Sequence, residues 1–226
     1  MISAPAVRLL TRTEGGRTWP VLVWAPGPGW RAVSSGIVGG GLGPRAWWLD
    51  AQVDKEYFHP DPVAHAGEIA AGLGLVPDAG IVMLTAADVS RWTQADDEGV
   101  AVAATVGLGL PVLAAVPPEV AAREADEPVG TINLLVVVPV PLSDAALVNA
   151  VVTATEAKAQ ALAQAGLRAT GTSSDAVCVA CPVAGAGEPE PYGGPRSLWG
   201  ARAARAVHAA VTAGATDWFA GDRLPG

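Results

Sequence analysis

TINLLVVVPVPLSDAALVNAVVTATEAKAQAL, residues 131–162, and ATGTSSDAVCVACP, residues 169–182, decide the fold. Together they read as a buried strand, a long helix and a second buried strand. The helix is expected from about Asp144 to Ala165, with Ser143 as N-cap and Gly166 just past its end. Polar residues stand at the joints (Thr131, Asn133, Thr170, Thr172, Asp175) and on the helix (Asn149, Glu156, Lys158). Beside apolar strands such groups are costly unless something pairs with them.

Outward from this unit, the N-terminal third reads as a β-meander. VRLLTRTEG, TWPVLVWAP, WRAVSSGIVGG and AWWLDAQV are separated by Gly- and Pro-bearing turns at Glu14–Arg17, Pro26–Gly29 and Gly39–Pro44. A helix is expected from Val63 to Leu73, with Asp61 as N-cap, Pro62 at its first position and Gly74 beyond its end. IVMLTA (81–86) reads as a buried strand and DVSRWTQADD as a short helix or turn. VAVAATV and TINLLVVV are strands on either side of an acidic loop, Glu119–Pro128. After an irregular loop, a last helix runs from about Leu198 to Gly214. Early strands followed by helix–strand alternation predict an α+β fold with a mixed sheet. No linker divides the chain, so residues 1–226 are expected to form a single domain.

Composition narrows the function. The 226 residues carry a net charge of -8 and only 16% charged side chains. An acidic surface argues against a nucleic-acid partner, whose phosphates demand basic groups. Residues 99–118 are uncharged and nearly membrane-length, but Gly107, Gly109, Pro111, Pro117 and Pro118 break them. They read as a strand, a loop and a second short strand, so no membrane span is expected. The first residues lack the basic-then-apolar order of a signal peptide. Cys178 and Cys181 lie three apart in a strand, hence on opposite faces, and should not bridge. Buried thiols in a reducing compartment fit a cytoplasmic protein. The only histidines are His59, His65 and His208, so no protein-ligated metal is expected.

At 100° per residue, Asn149, Thr153, Glu156 and Gln160 of the long helix share one face, within roughly 40°. Leu147, Val151 and Leu162 lie opposite. Lys158 falls among the latter, about 200° from Glu156, so the two cannot pair locally. A lysine there must snorkel, find another partner or lose its charge. It is a candidate polarising cation.

Other candidates each have a plain structural alternative. The TGTSSDA loop offers hydroxyls and amides for a binding nest, or a nucleophile beside Asp175 or Lys158; ordinary turn chemistry is the alternative. Thr85 and Asp88 end a strand, where Asp88 also suits an N-cap. Asn133 would point either inward with Leu135 or to water. Trp47 and Trp48 are neighbours in a strand, so one is expected to face away from the core, as a platform for a flat ligand or as cover for the sheet. Arg202 and Arg205 share a helix face that is either solvated or able to receive a carboxylate.

The two opening segments, together with TAADV (85–89), ATVGLGLPV (104–112) and WGARAARAVHAAV (199–211), resemble the adenosylcobinamide amidohydrolase family of corrinoid salvage. The resemblance extends from about Gly36 to Gly214. It implies hydrolysis of the amide joining aminopropanol to the corrin ring, giving adenosylcobyric acid and 1-aminopropan-2-ol. The alternative is a non-catalytic corrinoid- or nucleoside-binding protein on the same scaffold. No cofactor is implied, cobalt entering only as part of the corrinoid substrate. Residue type and placement, not transfer from the family, nominate Glu156, Lys158 and Asp175 for the chemistry. The same argument nominates Trp47, Trp48, Thr85, Asn133, Asn149, Thr170, Thr172 and Arg202 for substrate binding.

Overall fold

The computed structural model describes residues 6–124 and 130–221. Its strands form two sheets. The four-stranded sheet has the order β1 (Arg8–Glu14), β2 (Arg17–Trp24), β5 (Trp47–Gln52), β6 (Gly80–Thr85). The six-stranded sheet has the order β4 (Gly41–Pro44), β3 (Trp30–Ser34), β10 (Ala176–Pro182), β9 (Thr131–Val137), β8 (Val100–Gly107), β7 (Thr93–Asp97). Each sheet mixes antiparallel pairs with one parallel pair. Those pairs are β5–β6, joined through helix α1 (Pro62–Gly72), and β9–β10, joined through α3 (Asp144–Gln164). The strand–helix–strand reading of 131–182 is therefore the central crossover of the larger sheet, in an α+β fold.

The layers follow from alternation along the strands. In β2, Val21 and Val23 face α1, while Leu22 and Trp24 face the second sheet. Across that inner layer stand Ala103, Leu135, Val137 and Cys178 of the six-stranded sheet. The outer face of the same sheet, with Val102, Ile132, Leu134 and Val179, is covered by α3 and by α4 (Leu198–Ala220). Four layers result: helix, sheet, sheet, helices. Cys178 faces the inner layer and Cys181 the helices, so the two thiols are buried, free and on opposite sides. Burial pushes the Cys178 thiol up to about 12. No helix among the described residues is long and apolar enough to cross a membrane.

Capping bears out the helix limits. Asp61 and Ser143 accept hydrogen bonds from Ala64 N and Ala146 N. Elsewhere the structure corrects the sequence reading. The expected meander is split, because positive φ at Gly27 and Gly29 carries the chain from β2 into the other sheet. Gly41–Pro44 is a short strand, with its proline at a sheet edge where a missing donor is tolerated. Thr93–Asp97 is the opposite edge strand, its charges serving an exposed rim. Pro118–Glu124 is a short helix, α2, while 125–128 of the expected loop lie outside the described residues, as do residues 1–5 of the N-terminal segment. The second short strand after β8 reduces to one bridge, Val112 to Gly171. Helix α4 passes through Gly214, where a Cβ would come within 2.5 Å of Val106 Cγ2, so this glycine serves close packing and not termination.

Trp48 fills the inner layer at 1% exposure. Trp48→Ala is expected to lose about 3–5 kcal/mol of stability, as for other aromatic truncations in cores, read by urea unfolding. A reductant should leave the wild-type transition unmoved.

Candidate active site

One end of the sandwich gathers the polar signature segments. The N-terminal ends of β9 and β10 lie there with the C-terminal end of β8, since Thr131 pairs with Gly107 and Ala176 with Asn133. The end of β6 joins them through Asn133 Nδ2, which donates to Leu84 O at 3.2 Å. Glycines allow the backbones to meet. A Cβ on Gly107 would stand 2.9 Å from Ala87 Cβ, and one on Gly130 would stand 2.9 Å from Thr172 Cγ2.

Lys158 projects from α3 into this end and pairs with Asp175. Their side chains are 7% and 10% exposed, so the charges are largely removed from water. Such a pair holds only when the remaining hydrogen-bonding capacity is filled. Asp175 Oδ1 accepts from Ile132 N at 2.9 Å and Oδ2 from Thr172 N at 3.1 Å, and the Thr172 hydroxyl also donates to Oδ1. Thr172 Oγ1 and Ser174 Oγ contact Gly130 O at 2.8 and 3.0 Å, and Thr131 Oγ1 lies 2.8 Å from Ser174 Oγ. Any side chain on Gly171 would collide with both charged groups. Lys158 is thus neither snorkelling nor unpaired.

Just inside this end, between the sheets, Asp50 is fully buried. It accepts from Thr105 Oγ1 at 2.7 Å and from Asn133 Nδ2 at 2.8 Å. Desolvation raises its carboxyl from 3.8 to about 6, against the opposing pull of these two hydrogen bonds. Asn133 therefore points inward, held by Asp50, and its Oδ1 has no partner among the described residues. Sequence reasoning missed Asp50. The signal was present: in WWLDAQ it alternates with Trp48, which places both on the same face.

The other nominated residues lie elsewhere. Thr85 is buried, its Oγ1 accepting from Ala87 N at 3.0 Å. Thr170 is exposed and holds Ala114 N at 2.9 Å. Asn149 is exposed on α3. Glu156 is exposed in a groove of about 580 Å³ between α3 and α4, with Arg205 and His208, and the structure does not bring it to Lys158 and Asp175. Arg202 is bound to Glu98 and lies over Trp199. The expectation of an outward-facing indole is corrected: Trp47 and Trp48 are both buried, because α1 covers the second face of their sheet. Trp47 Nε1 donates to Val76 O at 3.0 Å, and Trp48 Nε1 to Met83 Sδ at 3.4 Å. Among the described residues no three His, Cys, Asp or Glu side chains converge as a metal-binding group.

An ammonium, a carboxylate and surrounding hydroxyls gathered at one end of the sandwich are groups that acyl-transfer and hydrolytic sites use. The family model for adenosylcobinamide amidohydrolase matches residues 6–222. The chain belongs to that family. An adenosylcobinamide amidohydrolase of Halobacterium salinarum is 36% identical over 200 residues, covering 82% of this chain and 80% of that protein. One of Methanosarcina mazei is 30% identical over 190 residues, covering 81% and 88%.

Because folding raises the Asp50 carboxyl, the native state holds its proton more tightly than the unfolded chain. Stability from this group is therefore lost as pH rises from about 3.8 to about 6. Above that window the ionised carboxylate costs about 3 kcal/mol. Asp50→Asn should narrow the stability difference between pH 4 and pH 7 by up to that amount, measured by urea unfolding at both. An unchanged difference would place the titration elsewhere.

Proposed function

We propose that the protein hydrolyses the amide joining aminopropanol to the corrin ring of adenosylcobinamide, releasing adenosylcobyric acid and 1-aminopropan-2-ol in corrinoid salvage. The observation that carries this is the family match along residues 6–222, with two relatives of the same name covered over four-fifths of their length or more. The corrinoid is substrate, and its cobalt is cargo. A cytoplasmic location accords with the two free, buried thiols.

Within that reaction we assign the chemistry to Lys158 and Asp175. Water adds to the amide carbon, the C–N bond breaks, and the proton leaving the water ends on the departing amine. Asp175 is the proton acceptor at the pair, held by Thr172 N and Ile132 N; with the Thr172 hydroxyl turned to Gly130 O, 2.8 Å away, its Oδ1 keeps a lone pair for the water. Lys158 is the cation that stabilises the tetrahedral oxyanion, a role that strengthens where water is excluded. Glu156, on another face of α3, stands outside this assignment.

The test of function is incubation of the purified protein with adenosylcobinamide and detection of the acid product by mass. Binding without turnover at any pH would favour the non-catalytic corrinoid-binding reading instead. The test of assignment is Lys158→Met beside Asp175→Asn. Each is expected to lose roughly 10²–10³ in kcat, as for loss of one preorganised group, and the double variant should be little worse than either, as for residues acting as a unit. Breaking the buried pair should also lower the melting temperature of Lys158→Met. An active and equally stable Lys158→Met protein would contradict the assignment.

A further inference from the structure

At the same end of the sandwich, beyond β5 and β6, a groove of about 680 Å³ runs between the end of α4 and the start of β2. It adjoins the Lys158–Asp175 region through Ala86 and Ala87, the latter packed on Gly107. Crevices outside the carboxyl ends of parallel strands are common ligand sites, and β5 and β6 are such a pair. The catalytic pair has no contact with the groove's walls, so the groove is free to hold another part of a large substrate.

Its polar groups are oriented by the fold. Val89 N donates to Gln52 Oε1 at 3.0 Å, so the Gln52 amide presents its N–H donors without a partner among the described residues. Asp88 uses Oδ1 for Ser90 N and Ser90 Oγ, at 3.1 and 2.6 Å, leaving Oδ2 open. Half-buried Trp218 stands in the wall, and the turn before it is pinned where Arg91 binds Asp217 Oδ2 and Asp217 O, both at 2.7 Å. Trp19 lines the other side, with the Arg17 guanidinium 4.5 Å from its ring centre.

We propose that this groove binds the nucleoside part of the substrate, the adenosyl group, with Trp218 against the base, Gln52 donating to ring nitrogens and Asp88 accepting from the ribose diol. This rests on the amidohydrolase reading for the identity of the whole substrate. An indole offers a base a stacking face, and a carboxylate is the usual partner of a ribose diol. The charges select a nucleoside over a nucleotide. Arg17 is already bound to Asp54 at 2.7 Å, which leaves Glu56 and Asp88 against Lys55 alone. A phosphate would meet net negative charge, whereas a 5′-deoxyadenosyl group carries none.

The test uses 5′-deoxyadenosine and AMP as probes of the intact protein, read by calorimetry and tryptophan fluorescence, beside steady-state hydrolysis of adenosylcobinamide. The variants are Trp218→Ala, Gln52→Glu, which keeps the acceptor for Val89 N but removes the donors, and Asp88→Asn, which keeps the cap on Ser90 N. Saturable binding of 5′-deoxyadenosine is expected, with AMP weaker. Each variant should weaken it roughly 10- to 100-fold, the range of one stacked base or one tenfold step. KM for adenosylcobinamide should rise by a similar factor while kcat stays within a few fold. Wild-type hydrolysis with unchanged KM in all three variants would overturn the groove and leave the amidohydrolase reading intact. Nucleoside binding lost in the variants, from a protein that releases no acid product, would support the groove and remove that reading. No binding of 5′-deoxyadenosine, or AMP bound equally well, would overturn the nucleoside assignment.

Discussion

The Lys158 ammonium and the Asp175 carboxylate are buried together at the end of the six-stranded sheet, and the loops around them are shaped to satisfy that pair. Neither charge would be tolerated there alone. Asp175 is anchored on the backbone of two segments, Ile132 at the start of β9 and Thr172 in its own loop. Lys158 comes from the helix that links β9 to β10. The pair therefore ties both ends of one strand–helix–strand crossover to a single point. Gly171 beside it is the space both charged groups occupy.

A second constraint comes from the layering. Both faces of the central strands are covered, so along most of their length β5, β6, β8, β9 and β10 accept only apolar or small side chains. In these strands polar side chains lie toward the sandwich ends. Asp50, Thr105 and Asn133 reach inward as a mutually bonded set just inside that end. Desolvation leaves the Asp50 carboxyl near 6, so a modest fall in pH removes its charge from the inner layer. Through Asn133 it fixes β9 against the end of β6, the boundary between the Lys158–Asp175 pair and the groove beyond Ala86.

Much of this was legible from the sequence because local rules carry it. Ser143, Asp61 and Gly166 mark helix limits by chemistry that needs only neighbours. Lys158 was conspicuous because 100° spacing places a charge among Leu147, Val151 and Leu162. Its partner was not legible: seventeen residues and a loop separate it from Asp175, and only the crossover brings them together. Glu156 and Asn149 stood out by the same helical arithmetic, but that arithmetic cannot tell a groove between helices from the end of a sheet. Trp47 and Trp48 misled because a two-residue argument assumes that one face of the sheet is open. The split of the N-terminal strands between two sheets depends on a turn whose glycines permit, but do not dictate, the crossing. Asp50 was passed over because the alternation of faces was followed only at Trp47 and Trp48 and not carried two residues further along the strand.

The central claim is that the scissile amide is presented to Lys158 and Asp175 and not to the α3–α4 groove that contains Glu156. The most direct test is a crystal structure of the Asp175→Asn protein with intact adenosylcobinamide bound. The account predicts the amide carbonyl oxygen within hydrogen-bond reach of Lys158 Nζ, about 2.6–3.2 Å, with the amide carbon facing residue 175. An amide bound between α3 and α4 beside Glu156 and His208, with Lys158 out of reach, would contradict it.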